Sequence, residues 1–374
     1  MTEQLRIEDD VERLPADDWQ RLMRGRPALR LEVLRAIAAT ASTALSLRVF
    51  MLVDEIGIAA AAVCECVREH EPFSVLDALL YGRARRLAAA LGGSTRPTLL
   101  FCTPVGTESA LVVRPGQPTE QRRILDRLLS EIEAHAAAQR LGIGFSGVFA
   151  DDELVAEALR ARNYVDTQVQ PIARLQIEWS DFDGYVRHLQ QRSQNAARTV
   201  RTERKRNRRA GVSIRQIPAT AANIEALDGF MRRHYQDKNG TDLHFGPKFL
   251  PLVADLLGED FVLLEAVRDG RPVGMLGVVR SGPVAWSAWF GIELIDRHND
   301  FTYTNLVYYH LAESAAALGF KTVLYGTHAL DTKRRRGCQI IGNRLFYRPH
   351  RPRARPLARA YFAIHRAWFA RKLG

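Results

Sequence analysis

"AAAQRLGIGFSGVF" (136–149) and "AESAAALGFKTVLYG" (312–326) decide how this chain is read. Each leaves an alanine-rich helical end through a glycine and enters a short run of apolar residues. Helical periodicity gives way to a buried strand at the same place in both. Working outward, the same neighbours flank each copy. In the first half, "LSLRVFMLVDEIGIAAAAVCECV" reads as strand, turn and strand around residues 55–57, and "RPTLLFCTPVG" as a further strand. The helix before the first junction carries Ile124, Leu125, Leu128, Leu129 and Ile132 on one face, with Gly142 as its expected stop. In the second half, "FVLLEAVRDGRPVGMLGVV" is a hairpin turning at Asp269 and Gly270, and "PVAWSAWFGI" continues the meander. The helix that follows places Val307, Leu311, Ala315 and Leu318 on one side. Hairpin, strand, helix, Leu-Gly and strand, twice over, predict two tandem copies of one α/β unit.

The segment between the copies is different in kind. "DFDGYVRHLQQRSQNAARTVRTERKRNRRAG" (181–211) predicts one long helix over 181–210, capped near Ser180 or Asp181 and stopped by Gly211. From Arg198 to Arg209 it holds seven basic residues, opposed only by Glu203. Arg198, Arg201, Lys205 and Arg208 fall three, four and three residues apart, which puts them on a single face. A solvated helix face is the ordinary explanation of such a run. Here Tyr185, Leu189 and Val200 supply little apolar surface to anchor a helix of this length, so an anion-binding role stands beside it.

The totals agree with that role. Lys and Arg number 53 against 42 Asp and Glu, for a net charge of +11 over 374 residues and a pI near 9.8. Such a balance suits anionic partners: RNA, phosphorylated cofactors or a membrane surface. From Arg344 onward the chain carries nine basic residues and no acid. Its last stretch is helical in pattern, with Leu357, Tyr361, His365 and Trp368 on one side, a face that can dock on the preceding domain or lie on an anionic membrane.

Several classes are set aside. The charged start "MTEQLRIEDDVERL" lacks the apolar centre of a signal peptide, and no apolar run approaches the roughly 18 residues of a membrane span, so a cytoplasmic protein is expected. Cys64, Cys66, Cys102 and Cys338 have no metal-site spacing, and the His residues offer none either, so no metal is expected. A Gly-x-Ser-x-Gly nucleophile elbow is absent, and "VRDGRPVG" is a hairpin, not a nucleotide-binding fingerprint.

Three stretches together resemble Fem-like acyltransferases, the peptidoglycan-biosynthesis branch of the GNAT superfamily. They are the helix end R-x-x-R-x-x-R-K-R-x-R-R-x-G (198–211), the acidic-x-Lys-x-x-x-Gly segment in "HALDTKRRRGCQI" (328–340), and the meander ahead of them. The resemblance runs from about Ile7 to Pro349 and implies two GNAT-like domains with mixed, mostly antiparallel sheets flanked by helices. The expected division is 1–175, then 176–350 with the basic helix, then a C-terminal helix over 351–374.

The resemblance also implies chemistry. Fem-like enzymes pass an aminoacyl group from a charged tRNA to an amine, and relatives use acyl-coenzyme A or an acyl carrier protein. Lys333 matches the family's motif lysine near the reacting carbonyl, with Asp331 and Gly337 at the flanking positions. Acyl transfer to an amine passes through a tetrahedral oxyanion, and Lys333 is expected to be its donor. Asp331 is expected to orient Lys333, and His328 to move a proton. Tyr303 and Tyr308 are candidates for substrate hydrogen bonds. Arg335, Arg336, Arg204, Lys205 and Arg208 are candidates for phosphate contacts. "IELIDRHNDFTYTN" holds no glycine-rich phosphate loop before the helix at Thr304, which favours the tRNA donor over coenzyme A, with no other cofactor. The acceptor is an amine, such as a cell-wall precursor or a small metabolite. A non-catalytic RNA- or membrane-binding module is the alternative from another class.

Overall fold

The computed structural model describes residues 3–40, 47–67, 97–103, 105–106, 108–240, 243, 246–293 and 300–373. The chain packs as two compact units. Residues 1–23, 28–171 and 341–374 form the first, and residues 24–27 and 172–340 the second.

In the first unit, β1 (Gln4–Glu8), β2 (Leu47–Asp54) and β3 (Gly57–Val67) form an antiparallel meander. Beyond it lie β4 (Thr98–Phe101) and β6 (Gly142–Phe149), which run parallel, while β5 (Leu111–Val113) pairs with β3. The parallel pair requires a crossover, and the helix Pro118–Ala138 provides it. Ile124, Leu125, Leu128, Leu129 and Ile132 are all buried on its inner face, against Phe101, Phe145 and the alanines of β3. Gly142 does not stop this helix: Arg140 takes the left-handed turn (φ 56°) and Gly142 is already the first strand residue. The absence of a side chain matters there because a Cβ would lie 2.8 Å from Thr98 Oγ1 and 3.2 Å from the Tyr347 hydroxyl.

The end of the chain belongs to this unit, which corrects the expected assignment of residues up to 350 to the second domain and the separate standing of 351–374. The last strand, Gln339–Arg348, pairs antiparallel with β6, setting Phe346 opposite Phe145. The helix Arg355–Leu373 then docks Ala358 and Phe362 beside Leu345 and Tyr347, and the rings of Tyr347 and Phe362 stack at 6.4 Å. Its buried stripe is rotated from the expected one. Tyr361 and His365 sit half-buried at its margin, and the side chain of Trp368 lies outside the described residues. His365 is tied to Thr167 at 2.9 Å.

β7 (Val165–Gln176) begins in the first unit and ends in the second. The second unit orders its strands as the end of β7, β12 (Thr322–Tyr325), β11 (Val284–Ile292), β10 (Arg271–Ser281), β9 (Phe261–Arg268) and β8 (Ser213–Ile217). Asp269 (φ 51°) and Gly270 (φ 74°) turn the β9–β10 hairpin as the sequence predicts. Only β11–β12 is parallel among these pairs. The crossover between them is a composite helix: an α turn Thr302–Thr304, a π-helical stretch Asn305–His310 and a further α turn Leu311–Ser314. Leu306, Val307, Leu311, Ala312 and Ala315 close the core under β10 and β12. The α/β class with mixed, mostly antiparallel sheets flanked by helices is as expected.

The predicted single helix over 181–210 is two helices, Phe182–Arg192 and Gln194–Arg209. Ser193 between them is extended (φ −163°, ψ 117°), and its hydroxyl accepts from Ala196 N to cap the second helix. Asp181 caps the first, accepting from Gly184 N at 2.6 Å. Gly211 ends the second at φ 71°. Tyr185, Leu189, Ala197 and Val200 do anchor these helices in the core, and Glu203 and Asn207 continue the buried stripe.

Candidate active site

β12 leaves the sheet at Tyr325, and the chain passes Gly326 and His328 to a left-handed Ala329 (φ 53°). What reads as a loop in sequence then winds into a short helix, Leu330–Arg335. The reversal at Ala329 costs a residue with a side chain on the order of 1 kcal/mol. It turns Lys333 inward. Lys333 is 5% exposed, and its Nζ donates to the carbonyl of Gly326. Burial lowers its pKa from 10.5 to about 8, only partly offset by Cys338. The ammonium form therefore holds at neutral pH, within reach of deprotonation. Burial pushes the Cys338 thiol up to about 12, which leaves it inert as a nucleophile.

Gly337 (φ 87°) closes the turn, where a Cβ would meet Leu189 Cδ2 at 2.9 Å. The carbonyls on either side of this bend are held from the first of the two helices. Tyr185 donates its hydroxyl to Arg336 O at 2.9 Å, and Arg192 donates to Gly337 O at 2.9 Å. Arg336 folds back under the turn. Its guanidinium donates to Thr332 O at 2.9 Å and to Glu203 at 2.7 Å. Glu203 also accepts from the hydroxyl of Tyr309. A buried ion pair and a phenol thus lock the lysine-bearing turn to the basic helix.

The π-helical stretch sets two adjacent tyrosines to two tasks. Successive residues of an α-helix point about 100° apart, and the wider π turn narrows that angle, so neighbours can share the buried side. Tyr309 reaches Glu203, while Tyr308 meets the hydroxyl of Tyr303 at 3.1 Å and the ring of Tyr325 at 5.0 Å. Burial raises the pKa of all three phenols, Tyr303, Tyr308 and Tyr325, so they stay neutral hydrogen-bonding groups.

Two cavities flank the second helix. One, about 660 Å³, is lined by Arg201, Arg204, Lys205, Arg208 and Arg209 with Asp181, Asp183 and Glu313. Within it Arg204 lies 3.8 Å from the ring centre of Phe182 and pairs with Glu313. The other, about 540 Å³, lies between the Ser193 break and the turn 332–337.

The structure thus gathers some expected residues and separates others. Lys333 and Tyr308 are buried in the second unit with Tyr303 half-buried against its core, and Arg204, Lys205 and Arg208 share one cationic cavity. Arg335 is exposed at the edge of the other cavity. Arg336 is a buried tether and not an exposed phosphate ligand, because Glu203 holds it. Asp331 does not orient Lys333: it is exposed and pairs with Arg334 at 2.8 Å. His328 is exposed on the approach to the turn. Glu203, Tyr309 and Tyr185 are the residues the sequence reading passed over. Glu203 carried a signal, as the lone acid in a run of seven cations.

A family model described as peptidoglycan biosynthesis/recognition, FemAB-like, matches residues 10–370. The chain belongs to the FemAB-like family. This FemAB-like protein is accordingly an acyltransferase of Fem-like fold. No curated protein matches it. Among solved structures, FemX superposes with a TM-score of 0.60 at 10% identity, covering 92% of this chain and 97% of that one. The C-terminal domain of a putative lysylphosphatidylglycerol synthetase from Agrobacterium fabrum gives 0.56 at 10% identity, covering 96% and 95%. A further structure, L-PGS from Bacillus licheniformis, gives 0.52 at 9% identity, covering 92% and 98%. Among the described residues no helix is long and apolar enough to cross a membrane, and no group of three or more His, Cys, Asp and Glu could hold a metal.

Proposed function

We propose that this FemAB-like protein forms an amide by moving an aminoacyl group from a tRNA ester to an amine. The observation that carries the reading is Lys333, a buried cation in the short helix after β12 whose Nζ donates to the backbone carbonyl of Gly326. A lysine held dry is poised to move its hydrogen bond from Gly326 O to a nearby oxyanion. The amine nitrogen attacks the ester carbonyl carbon, the C–N bond forms, and the carbonyl electron pair shifts to oxygen beside the ammonium. The oxyanion then collapses, the ester C–O bond breaks, and the ribose hydroxyl leaves with the proton released by the amine. Desolvation strengthens such a contact at the developing charge, where one donor is worth about 10²–10³ in rate.

What supports a tRNA donor is the cationic cavity, whose five Arg and Lys side chains outnumber Asp181, Asp183 and Glu313 and suit a chain of phosphates. Arg204, stacked on Phe182, adds a planar surface on which a base can rest. The test supplies purified protein with a mixture of charged tRNAs and amine acceptors, and follows amide formation by mass spectrometry. Transfer should stop on RNase treatment and fall at least about 100-fold in Lys333→Ala. Full activity in that variant would refute the role of Lys333. RNase-insensitive transfer from a thioester would replace the donor.

A further inference from the structure

We infer that the outward face of the C-terminal helix, Arg355–Leu373, docks on an anionic lipid surface. A small apolar stripe enters the headgroup boundary, and the arginines around it meet the lipid phosphates. The inference goes beyond the transfer reaction and stands on this part of the chain alone, whichever donor is used.

A surface helix ordinarily has one apolar side. This one has two. The inner side buries Ala358, Phe362 and Phe369, the first two beside Leu345 and Tyr347. On the outer side Ala360, Ala363, Ile364 and Ala367 are all exposed. They stand at i, i+3, i+4 and i+7, the spacing of a single helical stripe. Ile364 is 67% exposed, and among the described residues Ile56 is the other large apolar side chain left so open.

A lone exposed isoleucine is ordinary, so the charge around it is what selects the partner. Residues 344–374 hold nine Arg and Lys and no acid. Arg348 is paired with Glu133, and Arg366 reaches Asp166 at 3.4 Å. Arg351, Arg353 and Arg359 are exposed and make no ion pair among the described residues. Arg359 and Arg366, seven residues apart, run along one edge of the stripe. Their aliphatic stems can lie along an apolar boundary while the guanidinium groups reach phosphate oxygens. A nucleic acid would match the charge but leave the stripe in water. An anionic bilayer satisfies both. No described helix is long and apolar enough to cross a membrane, so the contact lies in the plane of the surface.

The test floats the full chain with vesicles of phosphatidylcholine, alone or with roughly one third phosphatidylglycerol. Binding should appear only with the anionic lipid. It should weaken at least about tenfold between about 0.1 M and about 1 M salt, as the screening length falls from about 10 Å to about 3 Å. Arg351→Gln, Arg353→Gln and Arg359→Gln together should weaken it at least about tenfold, since each cation near such a surface is worth about fivefold. Ile364→Asp should remove most of the binding, and Ile364→Trp, with a side chain that favours the interface, should tighten it several-fold. These four side chains are exposed, so circular dichroism and melting should not change. Arg201→Gln with Arg208→Gln, on the basic helix of the other unit, should leave vesicle binding as it is. Equal binding to both vesicles, unaltered binding in Ile364→Asp, or loss in the Arg201 and Arg208 variant would overturn the proposal. So would a triple-arginine variant that loses tRNA retention on a filter yet keeps its vesicle binding, which would mark the patch as an RNA site.

Discussion

Replacing Lys333 by Met should make the protein more stable and less active at the same time. Lys333 is 5% exposed, and burial lowers its pKa from 10.5 to about 8. Keeping it charged in the fold therefore costs about 3 kcal/mol at pH 7, at about 1.4 kcal/mol for each pH unit of that fall. The sign follows from proton linkage. Below pH 8 both folded and unfolded chains hold the proton, and the full cost is present. Between about 8 and 10.5 the folded chain releases the proton first, so stability rises with pH and the cost disappears. Methionine fills similar length without a charge. It removes the hydrogen bond to Gly326 O, worth about 1 kcal/mol, and Gly326 is exposed, so water can replace that donor. The net gain at pH 7 is about 2 kcal/mol, or about 4–8 °C in the melting of a unit this size. Differential scanning calorimetry at pH 7 and pH 10.5 reads it: the variant should melt higher at pH 7, and the gap should close at pH 10.5. A variant that melts lower at pH 7, by an amount indifferent to pH, would refute the buried-charge reasoning.

Two further outcomes follow from the same centre. Glu203→Ala leaves Arg336 charged and unpaired in the core and takes the acceptor from Tyr309, so urea denaturation should show a loss of about 3–5 kcal/mol. A loss under 1 kcal/mol would mean that Arg336 finds another anion. The transfer rate, if it needs the ammonium of Lys333, should fall as pH rises through about 8, and a rate still climbing at pH 9 would assign the neutral amine instead.

What the sequence showed depended on how local each cause is. The turn at Asp269 and Gly270 is set by two adjacent residues, and the face of Ile124, Leu125 and Leu128 by helical period, so both were legible. The break at Ser193 was not, because the surrounding residues are polar on both sides and no apolar phase shift marks it. Lys333 was found through a motif, yet its inward course depends on Ala329 adopting a left-handed backbone, which no alanine advertises. Glu203 was harder still. Its meaning comes from Arg336, 133 residues away, and from Tyr309, 106 away, brought to it only by the folded sheet. Asp331 was assigned to Lys333 by proximity in sequence, but a helical turn sets Arg334 three residues along as its nearer partner.

The second unit is one continuous stretch, 172–340, apart from the four residues 24–27, and it is nested between two parts of the first. A ribosome therefore delivers every residue of the second unit while the first still lacks the closing strand with Phe346 and the helix with Phe362. Folding is therefore expected to run against the order of the gene: the second unit can close on itself once residue 340 has emerged, whereas the first still needs residues 341–374. A premature stop near residue 340 would thus spare the whole of the second unit, Lys333 included, while leaving the opening half without its keystone.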